Sequence, residues 1–189
     1  MIRIVAGELR GHRLAVGPGV RPTTERAREA LFSILGEDVR GARVLDVAAG
    51  SGALGFEALS RGAREVVFVE ADRRVGRILQ ANLERTRLEG RARIVVRPVA
   101  SWLATETPTG YDVVFFDPPW ADPVLEDLAG LWRALAPLGT LVVERGSPEA
   151  PWPAPPVLPD IRHYGSTSLF IYRRALAETV GGEDEPPRR

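Results

Sequence analysis

ARVLDVAAGSGALG, residues 42–55, passes from an apolar run into a glycine turn and then into a helical pattern. A run of this kind, carrying Val44, Leu45 and Val47, suits a strand buried on both faces. Gly50, Ser51, Gly52 and Gly55 lie where that strand hands over to the helix. Glycine has no Cβ, so the backbone there can approach a ligand closely, and the first N–H groups of the helix face it. Asp46 is the exception in the run, because an ionised carboxylate among apolar neighbours needs a partner. The ammonium group of a ligand is one candidate.

Outward from this turn, the apolar runs at 65–70, 91–96, 111–117 and 140–144 alternate with helical patterns at 53–62, 72–87, 100–105 and 123–135. Five strands separated by helices specify an α/β fold with a Rossmann-like, doubly wound, mostly parallel sheet. RHYGSTSLFIYRR, residues 162–174, reads as two strands about a turn at Gly165 and Ser166, which predicts an antiparallel C-terminal edge. Residues 146–160 hold six prolines and read as a loop. At the other end, IRIV and HRLAV suggest a hairpin arm lying outside the main domain. RPTTERAREALFSILG, residues 21–36, predicts an amphipathic helix with Thr23 or Thr24 as N-cap, Gly36 as stop and arginines on its outer face. The expected organisation is an RNA-facing extension over 1–36, a sheet domain over 37–175 and a disordered tail over 176–189.

Composition bounds the function. The 189 residues, 44% hydrophobic and 26% charged, suffice for one full core plus a modest appendage. With no cysteine and only His12 and His163, neither a disulfide framework nor metal chemistry is indicated, and no metal is expected. No apolar run is long enough to cross a bilayer and no leader is visible, so a cytoplasmic protein without a membrane partner is expected. Net charge is zero, yet residues 1–28 carry Arg3, Arg10, Arg13, Arg21, Arg26 and Arg28 against only Glu8 and Glu25. Such a basic face attracts phosphate. All 25 basic residues are arginine, and the scarcity of Cys, Asn, Gln and Met beside many prolines matches a thermophile.

Two further elements carry chemistry. Glu70 ends the second strand at the distance from the glycine turn, about 20 residues, where an acid can accept both ribose hydroxyls. Gly50, Gly52 and Gly55 satisfy G-x-G-x-x-G, which on its own fits NAD or FAD equally well. DPPW separates the readings: Asp117, Pro118, Pro119 and Trp120 follow an apolar strand and so lie at the same sheet edge as the glycine turn. Two prolines stiffen the backbone and turn the Asp117 carboxylate and the Pro118 carbonyl outward, while Trp120 offers a flat π surface. Two acceptors and a stacking plate form a receptor for a planar amine. Accepting both N–H bonds favours pyramidal nitrogen and aims its lone pair at an electrophilic methyl, a geometry for which hydride transfer has no use.

These residues, with RIVAGELRGHRL, RPTTERAREALFSIL, LDVAAGSGALGFEALSRGA and DPPW, resemble the bacterial 16S rRNA guanine-N2 methyltransferase family of the D type, over nearly the whole chain. The resemblance implies S-adenosylmethionine as cofactor, S-adenosylhomocysteine as product, and transfer to a guanine N2 amine turned out of the RNA stack. It implies that Asp46, Ala48, Gly50, Ser51, Gly52, Glu70, Ala71 and Val99 line the cofactor and that Asp117, Pro118, Pro119 and Trp120 receive the amine. RNA would meet Arg3, Arg10, Arg13, Arg21, Thr23, Arg26 and Arg28. Ala48 stands where the family has a larger hydrophobic residue, which widens the pocket, and Arg97-Pro98-Val99 leaves the adenine to backbone groups near Val99. The partner would be 16S rRNA or the assembling small subunit, and the enzyme a monomer. Adenine N6, cytosine N4, a protein glutamine, a nicotinamide-dependent reaction and a non-catalytic RNA-binding module are the alternatives.

Overall fold

The computed structural model of the chain describes residues 1–17, 23–106, 108–118, 125–146 and 157–175. Arg21, Pro119, Trp120, most of the proline-rich loop and the tail 176–189 lie outside the described residues. A short antiparallel hairpin, β1 (Ile2–Arg3) with β2 (Arg13–Leu14), comes first. Helix α1 (Glu25–Leu35) follows, N-capped by the Thr24 side chain, which accepts from the Ala27 N–H. It ends at Gly36, whose φ of 52° belongs to the left-handed region.

The main sheet is built from β3 (Arg43–Val47), β4 (Glu65–Glu70), β5 (Ala92–Val96), β6 (Tyr111–Phe116), β7 (Leu135–Gly146), β8 (Asp160–Tyr164) and β9 (Thr167–Arg173). Between the first five run α2 (Ala53–Ser60), α3 (Arg73–Thr86), α4 (Val99–Glu106) and α5 (Leu125–Ala134). The strand order is β5-β4-β3-β6-β7-β9-β8. The first five strands are parallel, and β9 is antiparallel to both neighbours. The predicted antiparallel edge is there, with β9 inserted between β7 and β8. The chain first builds outward from β3 to β5, then returns to place β6 on the other side of β3. That reversal opens a crevice at the carboxyl ends of β3 and β6.

Alternation along the strands divides the core in two. Val44, Phe68, Phe115 and Val142 face α1, α2 and α3, where Phe32, Phe56 and Leu79 meet them. Val47, Val69, Phe116 and Val143 face α4 and α5, against Trp102, Leu128 and Leu131. No helix among the described residues is long and apolar enough to cross a membrane.

The hairpin does not stand outside the domain, as its sequence suggested. Ile4, Leu9 and Leu14 are buried in the same core as α1 and α2. The buried carboxylate of Glu57, on α2, holds the arm: it accepts the N–H groups of Val5 at 2.8 Å and Ala6 at 3.0 Å, and the Nε–H of Arg61 at 2.8 Å. The approach is close enough that a Cβ on Gly7, at φ +82°, would sit 1.8 Å from the Ser60 carbonyl oxygen. Arg28 also turns inward. Its Nε lies 3.6 Å from Glu57, its Nη2 donates to the Arg3 carbonyl, and only 1% of its surface is exposed. Arg28 lies three, four and seven residues before Leu31, Phe32 and Leu35, so helical spacing itself puts it on the buried face, and the ion pair with a carboxylate from another helix makes burial of its charge tolerable.

Removing one member of a buried ion pair leaves the other uncompensated, at a cost of about 3–5 kcal/mol. Glu57→Ala is therefore expected to lower unfolding free energy by about that amount in denaturant titration. Glu37→Ala, which breaks only the exposed pair with Arg40, is expected to cost less than about 1 kcal/mol.

Candidate active site

The crevice where the strand order reverses holds the sequence-predicted cofactor residues. At its floor β3 ends in Asp46 and Val47, and the chain then turns through Ala48 (φ 56°), Gly50 (φ 55°) and Gly52 (φ 78°) into α2. The tightness of the turn explains two of its glycines. A Cβ on Gly52 would lie 2.5 Å from Leu79 Cδ1, and one on Gly55 would lie 2.3 Å from Phe68 Cε1. Ala48 carries a side chain in the left-handed region, where strain accumulates at sites whose surroundings hold the backbone in place.

Two carboxylates fix this loop. Asp46 Oδ2 accepts the Gly55 N–H at 2.9 Å, while Glu70 accepts from Gly50 N at 2.8 Å and from Asp72 N at 2.9 Å. Asn82 on α3 adds a third tie. Its Nδ2 donates to the carbonyls of Ser51 at 3.1 Å and Ala15 at 2.9 Å, and its Oδ1 accepts the Ala15 N–H at 2.8 Å. One amide thus joins the cofactor turn to the end of the hairpin arm. Ser51 and Gly52 are buried, Ala48 and Gly50 half-buried and Ala71 exposed beside the turn, while half-buried Val99 opens α4.

Burial pushes the Asp46 carboxyl up to about 8; the Gly55 N–H works against this and the nearby Glu70 charge adds to it. A desolvated carboxylate of this kind is a receptor for a cationic group. A close backbone approach, a buried acid facing the turn and a second acid at the next strand end suit a ligand with an ammonium group and ribose hydroxyls, which is the chemistry of S-adenosylmethionine.

Two of the four residues expected at the target site, Asp117 and Pro118, are described, and they lie next to this turn. Phe116 of β6 is in register with Val47 of β3, and the Asp117 N–H donates to the Val47 carbonyl at 3.4 Å. Asp117 and buried Pro118 therefore stand beside the start of the glycine turn. The Asp117 carboxyl lies well above the usual carboxylate range, first through desolvation and then through the charges of Glu144 and Asp46. Such a group accepts hydrogen bonds when ionised and binds a released proton readily.

The proposed RNA residues divide. Arg3, Arg10, Arg13 and Arg26 are exposed, with Arg3 Nη2 2.6 Å from Glu25. Arg3, Arg13, Thr23 and Arg28 line one cavity of about 400 Å³ between the hairpin and the start of α1. Arg28 and Thr23 are corrections to the RNA-facing set. The first is sequestered by Glu57, and the second is 5% exposed and donates its hydroxyl to Glu144 Oε2 at 2.6 Å. Sequence reasoning missed Glu144 and Asn82. Asn82 is the chain's single asparagine and sits mid-helix, the one signal that pointed to it.

Asp46 holds its proton more tightly folded than unfolded, so between about 4 and about 8 the folded state binds more protons and its stability falls as pH rises. Asp46→Asn is expected to flatten that slope in ligand-free protein, measured by denaturant midpoint against pH, and to weaken cofactor binding in calorimetric titration.

The chain matches known proteins over most of its length. The family model described as "Conserved hypothetical protein 95" matches residues 2–173. Ribosomal RNA small subunit methyltransferase D of Escherichia coli (strain K12) is 46% identical over 132 residues, 69% of this chain and 66% of that protein. The chain thus spans about two thirds of that relative's length. YlbH of Bacillus subtilis (strain 168) is 31% identical over 185 residues, 92% of this chain and 99% of that protein. The solved structure of Escherichia coli yhhF superposes with a TM-score of 0.82 at 38% identity, covering 92% of this chain and 98% of that one. The fold, the crevice and these matches together place the chain in the conserved hypothetical protein 95 family, that of ribosomal RNA small subunit methyltransferase D.

Proposed function

We propose that the chain transfers a methyl group from S-adenosylmethionine to the exocyclic N2 amine of a guanine in small-subunit (16S) ribosomal RNA. The observation that carries this reading is the pairing of β3 with β6, which sets the Asp117-Pro118 acceptor pair beside the glycine cradle. The named activity of the E. coli relative supports the RNA substrate.

Asp46, Ala48, Gly50, Ser51, Gly52, Glu70, Ala71 and Val99 would hold the cofactor. When bound, it supplies a methyl carbon on a sulfonium sulfur. That carbon would be the acceptor for the guanine N2 lone pair, with S-adenosylhomocysteine as the leaving product. The protein's share is orientation and charge. Asp117 and the Pro118 carbonyl accept the two N–H bonds, which stops the nitrogen from sharing its lone pair with the ring and points that lone pair at the carbon. Asp117 then stabilises the positive charge that develops on nitrogen and takes up the departing proton. Pro119 and Trp120 complete the receptor in the sequence reading, with the indole as stacking plate. Arg3, Arg10, Arg13, Arg21 and Arg26 would attract phosphate around an unstacked base.

Labelled cofactor incubated with 16S rRNA and with small-subunit particles lacking the modification tests the proposal, since mapping the label separates guanine N2 from adenine N6, cytosine N4 and protein glutamine. Asp117→Ala is expected to lower the transfer rate about 100- to 1,000-fold while cofactor affinity stays nearly unchanged. Equal loss of both would remove Asp117 from the transfer step. Arg10→Ala combined with Arg13→Ala is expected to weaken RNA binding and to reduce the slope of log affinity against log salt by about 1.5 to 2. A salt titration showing the wild-type slope would take the arm out of the RNA interface.

A further inference from the structure

Glu144 has no place in the chemistry so far, yet its position is specific. Phe116 and Val143 are partners in the parallel pairing of β6 with β7, so Asp117 and Glu144 are the next residues along adjacent strands. Alternation turns both to the same side. Phe116 and Val143 belong to the core under α4 and α5, and Phe115 and Val142 to the core under α1. Glu144 is 4% exposed, and the Thr23 hydroxyl donates to its Oε2 at 2.6 Å across 121 residues of sequence. That length is typical of a hydroxyl donating to an ionised carboxylate.

We propose that Glu144 is a positioning residue of the target site: held by Thr23, its carboxylate stands beside Asp117 and sets the proton affinity with which Asp117 serves methyl transfer. The proposal rests on the methyltransferase reading above. Among the described residues, the charged groups whose fields act on Asp117 are Asp46 from β3 and Glu144 from β7. Asp46 sits on the cofactor side. Glu144 sits on the side of Thr23, the residue that leads into α1 next to the arginine-bearing arm. Its negative charge disfavours the Asp117 carboxylate and so makes Asp117 a better acceptor for the proton that leaves guanine N2. The Thr23 hydroxyl keeps that charge on Glu144 and ties it to the segment that bears the RNA-facing arginines.

The test is the pH dependence of single-turnover methyl transfer to 16S rRNA, with cofactor affinity and circular dichroism as controls for the fold. Asp117 must be ionised to accept N–H, so the wild-type rate is expected to rise with pH along an acid limb. Glu144→Gln removes the neighbouring charge, and the limb is expected to move to lower pH by about one unit. Thr23→Val removes a donor that favours the Glu144 carboxylate, so Glu144 protonates more readily, its charge acts less on Asp117 and the limb moves in the same direction. Thr23→Ser is expected to restore it. The double variant is expected to show the Glu144→Gln limb with no added shift, because both changes act through one group. A limb that stays at its wild-type position in folded Glu144→Gln overturns the proposal and leaves the methyltransferase reading intact. If Glu144→Gln does not fold, an unmoved limb in Thr23→Val overturns it instead. Wild-type protein that transfers no methyl to guanine overturns both.

Discussion

A carboxylate fully removed from water, that of Glu57, organises the N-terminal third of the molecule. Its oxygens take two backbone N–H groups from the hairpin arm and the Nε–H of Arg61, and the Arg28 guanidinium lies alongside. Burying a charge is tolerable only when it is well partnered, and here the partners come from three places: the arm, α1 and the end of α2. The arm therefore has one position relative to the sheet. Asn82 repeats the logic at the other end of the arm, gripping Ala15 with the amide that also reaches Ser51 in the cofactor turn. Contacts made by the arm are thereby linked through two rigid polar anchors to the loop that opens the crevice.

The crevice gathers three acidic side chains. Asp46, Asp117 and Glu144 end up on three adjacent strands because β6 returns to the side of β3, with β7 beyond it. Burial there costs stability: desolvation raises the proton affinity of both Asp46 and Asp117, and at Asp117 the charges of Glu144 and Asp46 add to it. Strain at Ala48 adds to the cost. Sites that act on charged ligands commonly keep such unrelieved terms, because a ligand supplying positive charge relieves them on binding.

What the sequence disclosed and what it hid follow from the range of the interactions. The parallel strands were legible because a strand covered on both faces must be apolar along its length. Gly52 and Gly55 were legible because a Cβ fits at neither position. Asp46 and Glu70 were legible from their places at strand ends. The inward position of Arg28 is in the helical spacing with Leu31, Phe32 and Leu35, but its charge pointed the other way, because the carboxylate that makes its burial tolerable, Glu57, belongs to another helix. Thr23 was hidden for the same reason, its acceptor lying on β7. The separate arm was misjudged because a short hairpin gives no sign of what its apolar residues meet. The charge of Arg28, the hydroxyl of Thr23 and the apolar residues of the arm all found their partners across the fold, pairings that periodicity does not encode.

The place of β9 has a consequence for how the protein is made. Among the described residues β8 pairs with β9 alone, and β9 covers the edge of β7 along seven residue pairs. Until residues 167–173 have emerged from the ribosome, β8 has no strand partner among the described residues and β7 presents an open row of amide and carbonyl groups. The sheet can close only when the last strand slides between two that were synthesised before it. Until then a chaperone, or the exposed edge of another copy, has a ready template to bind.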